Sequence, residues 1–450
     1  MSFPRYPNYK NSGVEWLGDV PTHWAVKRLR FVAELNPPKS EVARLDRGTL
    51  VSFLPMEAIG DDGTLSLENE KTIGEVESGY TYFRDGDVTV AKITPCFENG
   101  KGALMRGLAN GIGFGTTELI VVRPRPKEII SKYLQYLFTS PDFRSLGESH
   151  MYGAGGQKRV PDAFVRSFAT AFPPLTEQAH IAEFLDRETA KIDELIAEQQ
   201  RLVELLKEKR QAVITHAVTK GLNPDALMKC SGIEWLGDVP AHWRTAPLKY
   251  IVVLRSGGTP NKANAEYWDG DIPWASSKDL KTASLSDTQD HISEAAIDAG
   301  AAELVSAGSI LVVVRGMILA HSFPVVKALV PVAINQDLKA LTPGPDLDVN
   351  FLSWVLRGAL HETMSRVNEA GHGTKVLRME SWTSMVLPVP PFEEQLLISS
   401  DISKKLGDLD SLGLEAARAI LLLQERKTAL VSAAVTGHID VRGIAERKAA

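Results

Sequence analysis

The sequence predicts a mixed α+β (α/β) protein of two tandem lobes, each followed by a long helix, with the two helices forming an antiparallel coiled-coil pair about a pseudo-two-fold axis. Three observations predict it. The chain repeats itself, short strand-like runs fill each copy, and an unbroken helical stripe closes each copy.

The repeat is explicit. Residues 12–24 read SGVEWLGDVPTHW and residues 231–243 read SGIEWLGDVPAHW, identical at eleven of thirteen positions and 219 residues apart. Pro173-Pro174-Leu175-Thr176-Glu177-Gln178 returns 217 residues later as Pro390-Pro391-Phe392-Glu393-Glu394-Gln395, and Ala217-Val218-Thr219 as Ala434-Val435-Thr436. Chance does not supply such an ordered set.

Between these anchors the copies diverge, but their skeletons match. Asp85-Gly86-Asp87-Val88 opens an apolar run in copy one, as Ala307-Gly308-Ser309-Ile310 does in copy two. Thr116-Thr117-Glu118-Leu119 corresponds to Asn335-Gln336-Asp337-Leu338, and glycine-rich loops follow at 153–159 and 370–376. Apolar runs bounded by Gly, Pro and Asp read as strands with turns. Residues 133–138 (YLQYLF) and 351–356 (FLSWVL) read as matching helices.

The long helices are predicted from position 176 to about 219 and over the equivalent stretch of copy two, where Pro and Gly are absent until Gly221 in the first. Thr176 is the expected N-cap. In a seven-residue register Leu185, Ile192, Gln199, Leu206 and Val213 share one seam row, and Glu188, Leu195, Leu202, Lys209 and His216 the other. Adding 217 gives Ile402, Leu409, Ala416, Leu423 and Leu430, with Lys405, Leu412, Ala419, Arg426 and Ala433. About 40 residues at roughly 1.5 Å each make a rod of about 60 Å. Gly407 and Gly413 are expected to delay or bend the second helix.

Composition narrows the function. A chain of 450 residues, 44% hydrophobic and 24% charged, is long enough for several cores and is not a disordered class. No run of about 18 apolar residues is present, so no membrane span is expected. The N-terminus lacks the basic-then-apolar layout of a signal peptide, and two cysteines, Cys96 and Cys230, suit a reducing compartment, so a cytoplasmic protein is expected. The net charge of −6 argues against nucleic acid when taken alone, because phosphate binding favours basic surfaces.

No catalytic constellation emerges. Asn36-Pro37-Pro38-Lys39 approaches the Asn-Pro-Pro-aromatic signature of DNA amino-methyltransferases, but lysine stands where the stacking aromatic belongs. A strand-ending turn is the better reading. Asp337-Leu338-Lys339 and Glu425-Arg426-Lys427 match half of a metal-nuclease motif without an aspartate partner, the second reading as a charge cluster on the rod. The loop at Gly153 lacks the Gly-Lys-Ser/Thr of a phosphate loop, the ten histidines show no ligand spacing, and His23 and His242 read as packing or capping groups of the Trp-rich block.

Taken together, the duplicated SG-x-EWLGDVP-x-HW block, the 92–101 stretch KITPCFENGK, Ser256-Gly257-Gly258-Thr259-Pro260 with Tyr267-Trp268 and Ile272-Pro273-Trp274, and the two Pro-Pro-x-x-Glu-Gln helix starts resemble the DNA-specificity subunits of Type I restriction-modification enzymes. The resemblance covers essentially the whole chain. It implies a non-catalytic subunit with target-recognition domains at 1–172 and 222–389, spacer helices at 173–221 and 390–437, and a tail at 438–450. It also implies double-stranded DNA, two modification (methyltransferase) subunits and restriction (translocase-nuclease) subunits as partners. The chain would carry no cofactor of its own; S-adenosylmethionine, ATP and Mg²⁺ would sit on those partners.

Polar and basic residues at corresponding places in the diverged cores are the expected DNA readers. They are Lys92, Thr94, Lys101, Thr116, Thr117, Lys158 and Arg159 in copy one, and Ser277, Lys278, Arg315, Asn335, Gln336 and Lys375 in copy two. Lys and Arg suit guanine or phosphate, Asn and Gln suit adenine. The rival expectation is a coiled-coil scaffold whose lobes bind protein.

Overall fold

The computed structural model describes residues 3–154 and 156–443; Gly155 of the glycine-rich loop and the tail beyond 443 lie outside the described residues. The chain divides into two compact units, Met1–Gln199 with Arg418–Ala450 (unit one) and Gln200–Ala417 (unit two). Each unit takes one half of each long helix.

The units have the same architecture. In unit one an antiparallel sheet runs Ala33–Leu35, Leu119–Pro124, Val88–Ala91, Gly102–Leu104. In unit two the equivalent sheet runs Val252–Ser256, Leu338–Pro343, Ile310–Val313, Val325–Ala328, with Ser284–Leu285 added at the edge. A second, mixed sheet accompanies each. Ile112–Gly115 lies parallel to Leu50–Leu54 in unit one, and Trp268–Ala275 parallel to Val332–Ile334 in unit two. The central strands Val88–Ala91 and Ile310–Val313 are buried at every residue, which is why the second reads as a continuous apolar run and the first is broken only by Thr89, whose hydroxyl meets the Ala103 backbone.

Helix α1 (Ser131–Thr139) covers the first of these sheets with Tyr133, Leu134, Leu137 and Phe138, a 3.6-period apolar stripe. The other long helices follow in order: α2 (Leu175–Lys220), α3 (Val349–Gly358), capped by Asp348 accepting from the Phe351 amide at 2.8 Å, and α4 (Phe392–Val435).

One buried position differs between the copies in kind. Beside the Val88–Val122 strand pair, Arg123 donates Nε and Nη2 to the two oxygens of Asp87 at 2.7 and 2.8 Å, both residues buried. At the equivalent place in unit two, beside Ile310–Leu341, Ser309 and Thr342 share a hydroxyl hydrogen bond of 3.1 Å. The same strand crossing is closed by an ion pair in one copy and by two hydroxyls in the other.

The helices correct three expectations. Thr176 is not the N-cap: α2 begins at Leu175, because the Pro174 carbonyl already accepts the Gln178 amide at 2.9 Å. Gly407 and Gly413 neither delay nor break α4, since Ile398, Ile402, Leu406 and Ala416 are buried around them and outweigh about 1 kcal/mol per glycine. Only one predicted seam row is covered. Leu185, Ile192, Ile402, Ala416 and Leu430 are buried, whereas Leu195, Leu202 and Leu412 are 39–49% exposed. The open row also carries Glu188, Lys209, His216, Lys405 and Arg426, whose desolvation would cost more than the leucines return.

Within each unit the two helix halves run antiparallel. In unit one Gly437, just past α4, lies against Trp24, which bonds Glu177 in the first turn of α2, and farther along Lys427 pairs with Asp193 at 2.7 Å. In unit two Gly221, just past α2, lies against Glu394 in the first turn of α4, and Arg210 pairs with Asp410. Gly221 and Gly437 have φ of 74° and 78°, and a Cβ would meet the Trp243 or Trp24 indole, so both conformation and space require glycine. Lys427 of the Glu425-Arg426-Lys427 triplet is thus an interhelical charge.

Candidate nucleic-acid interface

The shared parts of the two copies form a latch. Glu177 on α2 accepts from Trp24 Nε1 at 3.1 Å and from the Tyr6 hydroxyl at 2.6 Å, and meets His23 Nε2 at 2.7 Å. In unit two Glu394 accepts from Trp243 Nε1 at 3.1 Å and meets His242 Nε2 at 2.8 Å. The neighbouring glutamines hold the loop that leads into α1 in unit one and into α3 in unit two. Gln178 accepts from the Ile130 amide at 3.0 Å and donates to the Glu128 and Pro173 carbonyls; Gln395 accepts from the Asp348 amide at 2.8 Å and donates to Asp346 and Pro390. The Glu-Gln pair therefore ties each helix start to its lobe, which explains why the block and the helix start recur together.

The diverged parts meet at a backbone crossing that is itself duplicated. In unit one the segment 92–94 leaves the central strand between the turn at 116–118 and the arm at 158–160. Lys92 N donates to Glu118 O at 2.8 Å, Val160 N to Lys92 O at 2.8 Å and Thr94 N to Lys158 O at 3.0 Å. In unit two Val314 N donates to Asp337 O, Leu377 N to Val314 O and Gly316 N to Lys375 O, each at 2.9 Å. Both arms belong to hairpins: Tyr152 bridges Arg159, and Val367–Glu369 pairs with Lys375–Leu377. The tips carry the glycine-rich loops.

This geometry can be set beside known proteins. Residues 240–418 match the family described as the Type I restriction modification DNA specificity domain. Over 189 residues the chain is 44% identical to the EcoEI specificity subunit of Escherichia coli, covering 42% of this chain and 31% of that relative. Over 163 residues it is 31% identical to the EcoR124I/EcoR124II specificity subunit of the same organism, covering 36% of this chain and 40% of the relative. The match thus spans less than two thirds of the length of these curated relatives.

The chain resembles a Type I specificity subunit. Its fold is likewise that of a solved HsdS subunit from Thermoanaerobacter tengcongensis, with a TM-score of 0.56, 18% identity and coverage of 93% of this chain and 98% of that one. A chain solved for complex assembly and conformational transition of the type I R-M system gives a TM-score of 0.73 at 17% identity, over 92% and 98% of the two chains.

In this specificity-subunit fold the crossing gathers Lys92, Thr94, Thr116, Thr117, Lys158 and Arg159 in unit one. Thr94 donates its hydroxyl to Lys158 O at 3.2 Å, and Thr116 Oγ1 accepts the Glu118 amide at 3.2 Å, so both shape the backbone. Arg159 grips Glu118 with Nε at 2.9 Å and Nη2 at 2.8 Å, and this guanidinium holds the Glu118 carboxyl below the usual carboxylate range. Thr117 and Lys158 are exposed. Lys101 is set apart, its ammonium donating to the Met56 carbonyl at 3.1 Å.

In unit two Arg315, Asn335, Gln336 and Lys375 come together. Asn335 is buried and uses Oδ1 to accept the Asp337 amide at 3.1 Å, the work of a turn former. The Thr259 hydroxyl donates to Gln336, and Lys375 pairs with Glu369 at 2.7 Å. Ser277 and Lys278 follow the strand that supports Asn335, but the Lys278 ammonium turns to Asp290 at 2.8 Å.

Residue-type reasoning missed the acids Glu118 and Asp337 and the exposed Tyr152. The signal was present in the alignment of the two copies, where Glu118 and Asp337 coincide. Asn36, the turn residue of the Asn-Pro-Pro motif, has φ 48° and accepts the Val121 amide at 3.0 Å, closing the strand Ala33–Leu35.

Proposed function

We propose that the chain is the sequence-specific DNA-binding subunit of a Type I restriction-modification complex, each unit reading one half of a split target. The observation that carries the reading is a constant frame bearing variable crossings: the Glu-Gln latches coincide, while Val314 and Val376 stand at the positions in unit two that Lys92 and Arg159 hold in unit one. Fixing two short readings at a set distance makes the second contact effectively intramolecular, so two weak half-sites become one specific site. Half-sites about 34 Å apart present the same face of the duplex. Partner subunits supply the catalytic groups, with S-adenosylmethionine, ATP and Mg²⁺, in the cytoplasm, and share the phosphate contacts that a chain of net charge −6 lacks.

The test is genome-wide mapping of methylated adenines in cells carrying a cognate modification subunit, with and without this chain. A split motif that vanishes with the chain is expected; methylation indifferent to the chain would remove the reading in favour of a protein-binding scaffold. Exchanging residues of about 25–155 for another recognition domain is expected to alter one half of the motif only. Alteration of both halves would refute one unit per half-site.

Two modification subunits fit a second duplicated surface. Arg30 lies over Phe31 at 4.9 Å, and 219 residues later Lys249 lies over Tyr250 at 5.2 Å, with Phe31 and Tyr250 54% and 74% exposed. An exposed aromatic kept in both copies, outside the crossings, suits a protein met twice, as do the open leucines of α2 and α4. Phe31→Ser with Tyr250→Ser is expected to lower the number of modification subunits per chain, measured by native mass spectrometry, with the fold retained. An unchanged ratio of two would exclude this surface.

A further inference from the structure

The crossing is the same in both units, but its arginine changes strand. The bridged pair is Ile93 with Arg159 in unit one and Arg315 with Val376 in unit two. Arg159 is engaged by Glu118 through one edge of its guanidinium, Nε and Nη2. In unit two the acid at that turn is Asp337, one methylene shorter, and it meets Arg315 through its backbone carbonyl, which accepts the Arg315 amide at 3.3 Å. Among the described residues no side-chain hydrogen bond or ion pair reaches the Arg315 guanidinium, and Arg315 is exposed. Lys375 beside it is already neutralised by Glu369.

Its backbone, by contrast, is held firmly. Val314 N, Gly316 N and Leu377 N make the three bonds of the crossing, and Gly316 has φ 146°, a conformation a side chain at that position would resist. A fixed Cα with a free guanidinium is what base reading needs, since register must be set before a planar fork can meet guanine O6 and N7. Arg159 already commits its Nε–Nη2 edge to a charge-assisted bidentate pair with Glu118, which ties its guanidinium to the turn of its own unit.

We infer that Arg315 reads a guanine in the half-site addressed by unit two, whereas Arg159 is a positioning residue that braces the unit-one crossing through Glu118. The inference rests on the DNA-reading function proposed above. It assigns the second half-site a guanine and leaves the first to other groups, Lys92 and Lys158 among them.

The full chain is expressed with its modification subunit, and methylated adenines are mapped for wild type, Arg315→Ala, Arg315→Gln and Arg159→Ala. With Arg315→Ala one guanine of one half becomes degenerate, its discrimination falling roughly fivefold to 150-fold, while the other half is unchanged. Arg315→Gln, with an amide suited to adenine, shifts preference at that same position away from guanine. Arg159→Ala lowers methylation at all sites without opening a motif position. An unchanged motif in Arg315→Ala, with uniform weakening and a salt slope reduced by about one, would make Arg315 a phosphate contact and overturn the assignment alone. Wild-type methylation that ignores the chain would overturn this assignment together with the function beneath it.

Discussion

Asp87→Ala is expected to destabilise unit one by about 3 kcal/mol, because it strands the Arg123 guanidinium in a site where Asp87 is 1% exposed. Glu41, which also pairs with Arg123 and is partly exposed, remains as a second counter-ion and keeps the loss at the lower end of the range for broken buried pairs. The chain itself contains the control. Unit two closes the same crossing with Ser309 and Thr342, so Asp87→Ser combined with Arg123→Thr is expected to recover most of what Asp87→Ala loses. Hydrogen exchange of the Val88–Ala91 and Leu119–Pro124 strands, read against Ile310–Val313 as an internal reference, measures both effects. A double variant no more stable than the single one would show that the surrounding packing, not the unpaired charge, sets the cost.

The same contrast explains what could be read from the residues alone. The duplication located the frame: each block and each helix start is identical or nearly so, because Trp24, Trp243, Glu177 and Glu394 form contacts that tolerate few substitutes. Helix spacing located α2 and α4 for the same reason, an apolar row must face a core. It could not tell which of two leucine rows would be covered, since Leu185 and Leu195 look alike until the charges sharing their rows are weighed against the available neighbours. Nor could residue type separate Arg159 from Arg315. Both are arginines at a crossing, and the strand each occupies together with the side-chain contact to Glu118, absent for Arg315 among the described residues, makes one a brace and leaves the other free. Asn335 shows the converse: a residue suited to adenine is consumed by its own turn.

Glu177→Ala is expected to be the most damaging change in the latch, and to cost more than Glu394→Ala. Removing Glu177 orphans the Tyr6 hydroxyl and Trp24 Nε1, both in buried residues, at about 1–3 kcal/mol each, so about 2–6 kcal/mol in all. Burial and the Glu177 carboxylate together push the Tyr6 hydroxyl well above the ordinary tyrosine range, so it remains a donor at any working pH and has no other role to fall back on. Among the described residues Glu394 has no tyrosine partner, and its side chain is 25% exposed against 5% for Glu177, so water can replace part of what it gives and the expected loss is about 1–2 kcal/mol. Exchange of the Ala25–Arg28 and Ala169–Phe172 pair in the first variant, and of Arg244–Pro247 and Val386–Val389 in the second, would register each loss where it arises. If the latch fixes each helix to its reading unit, Glu177→Ala should also reduce methylation at every target site without altering the motif, since the loss falls on spacing and not on base contacts. Equal destabilisation by the two alanines would mean that the carboxylate's donors contribute little and that the buried tryptophans alone hold the latch.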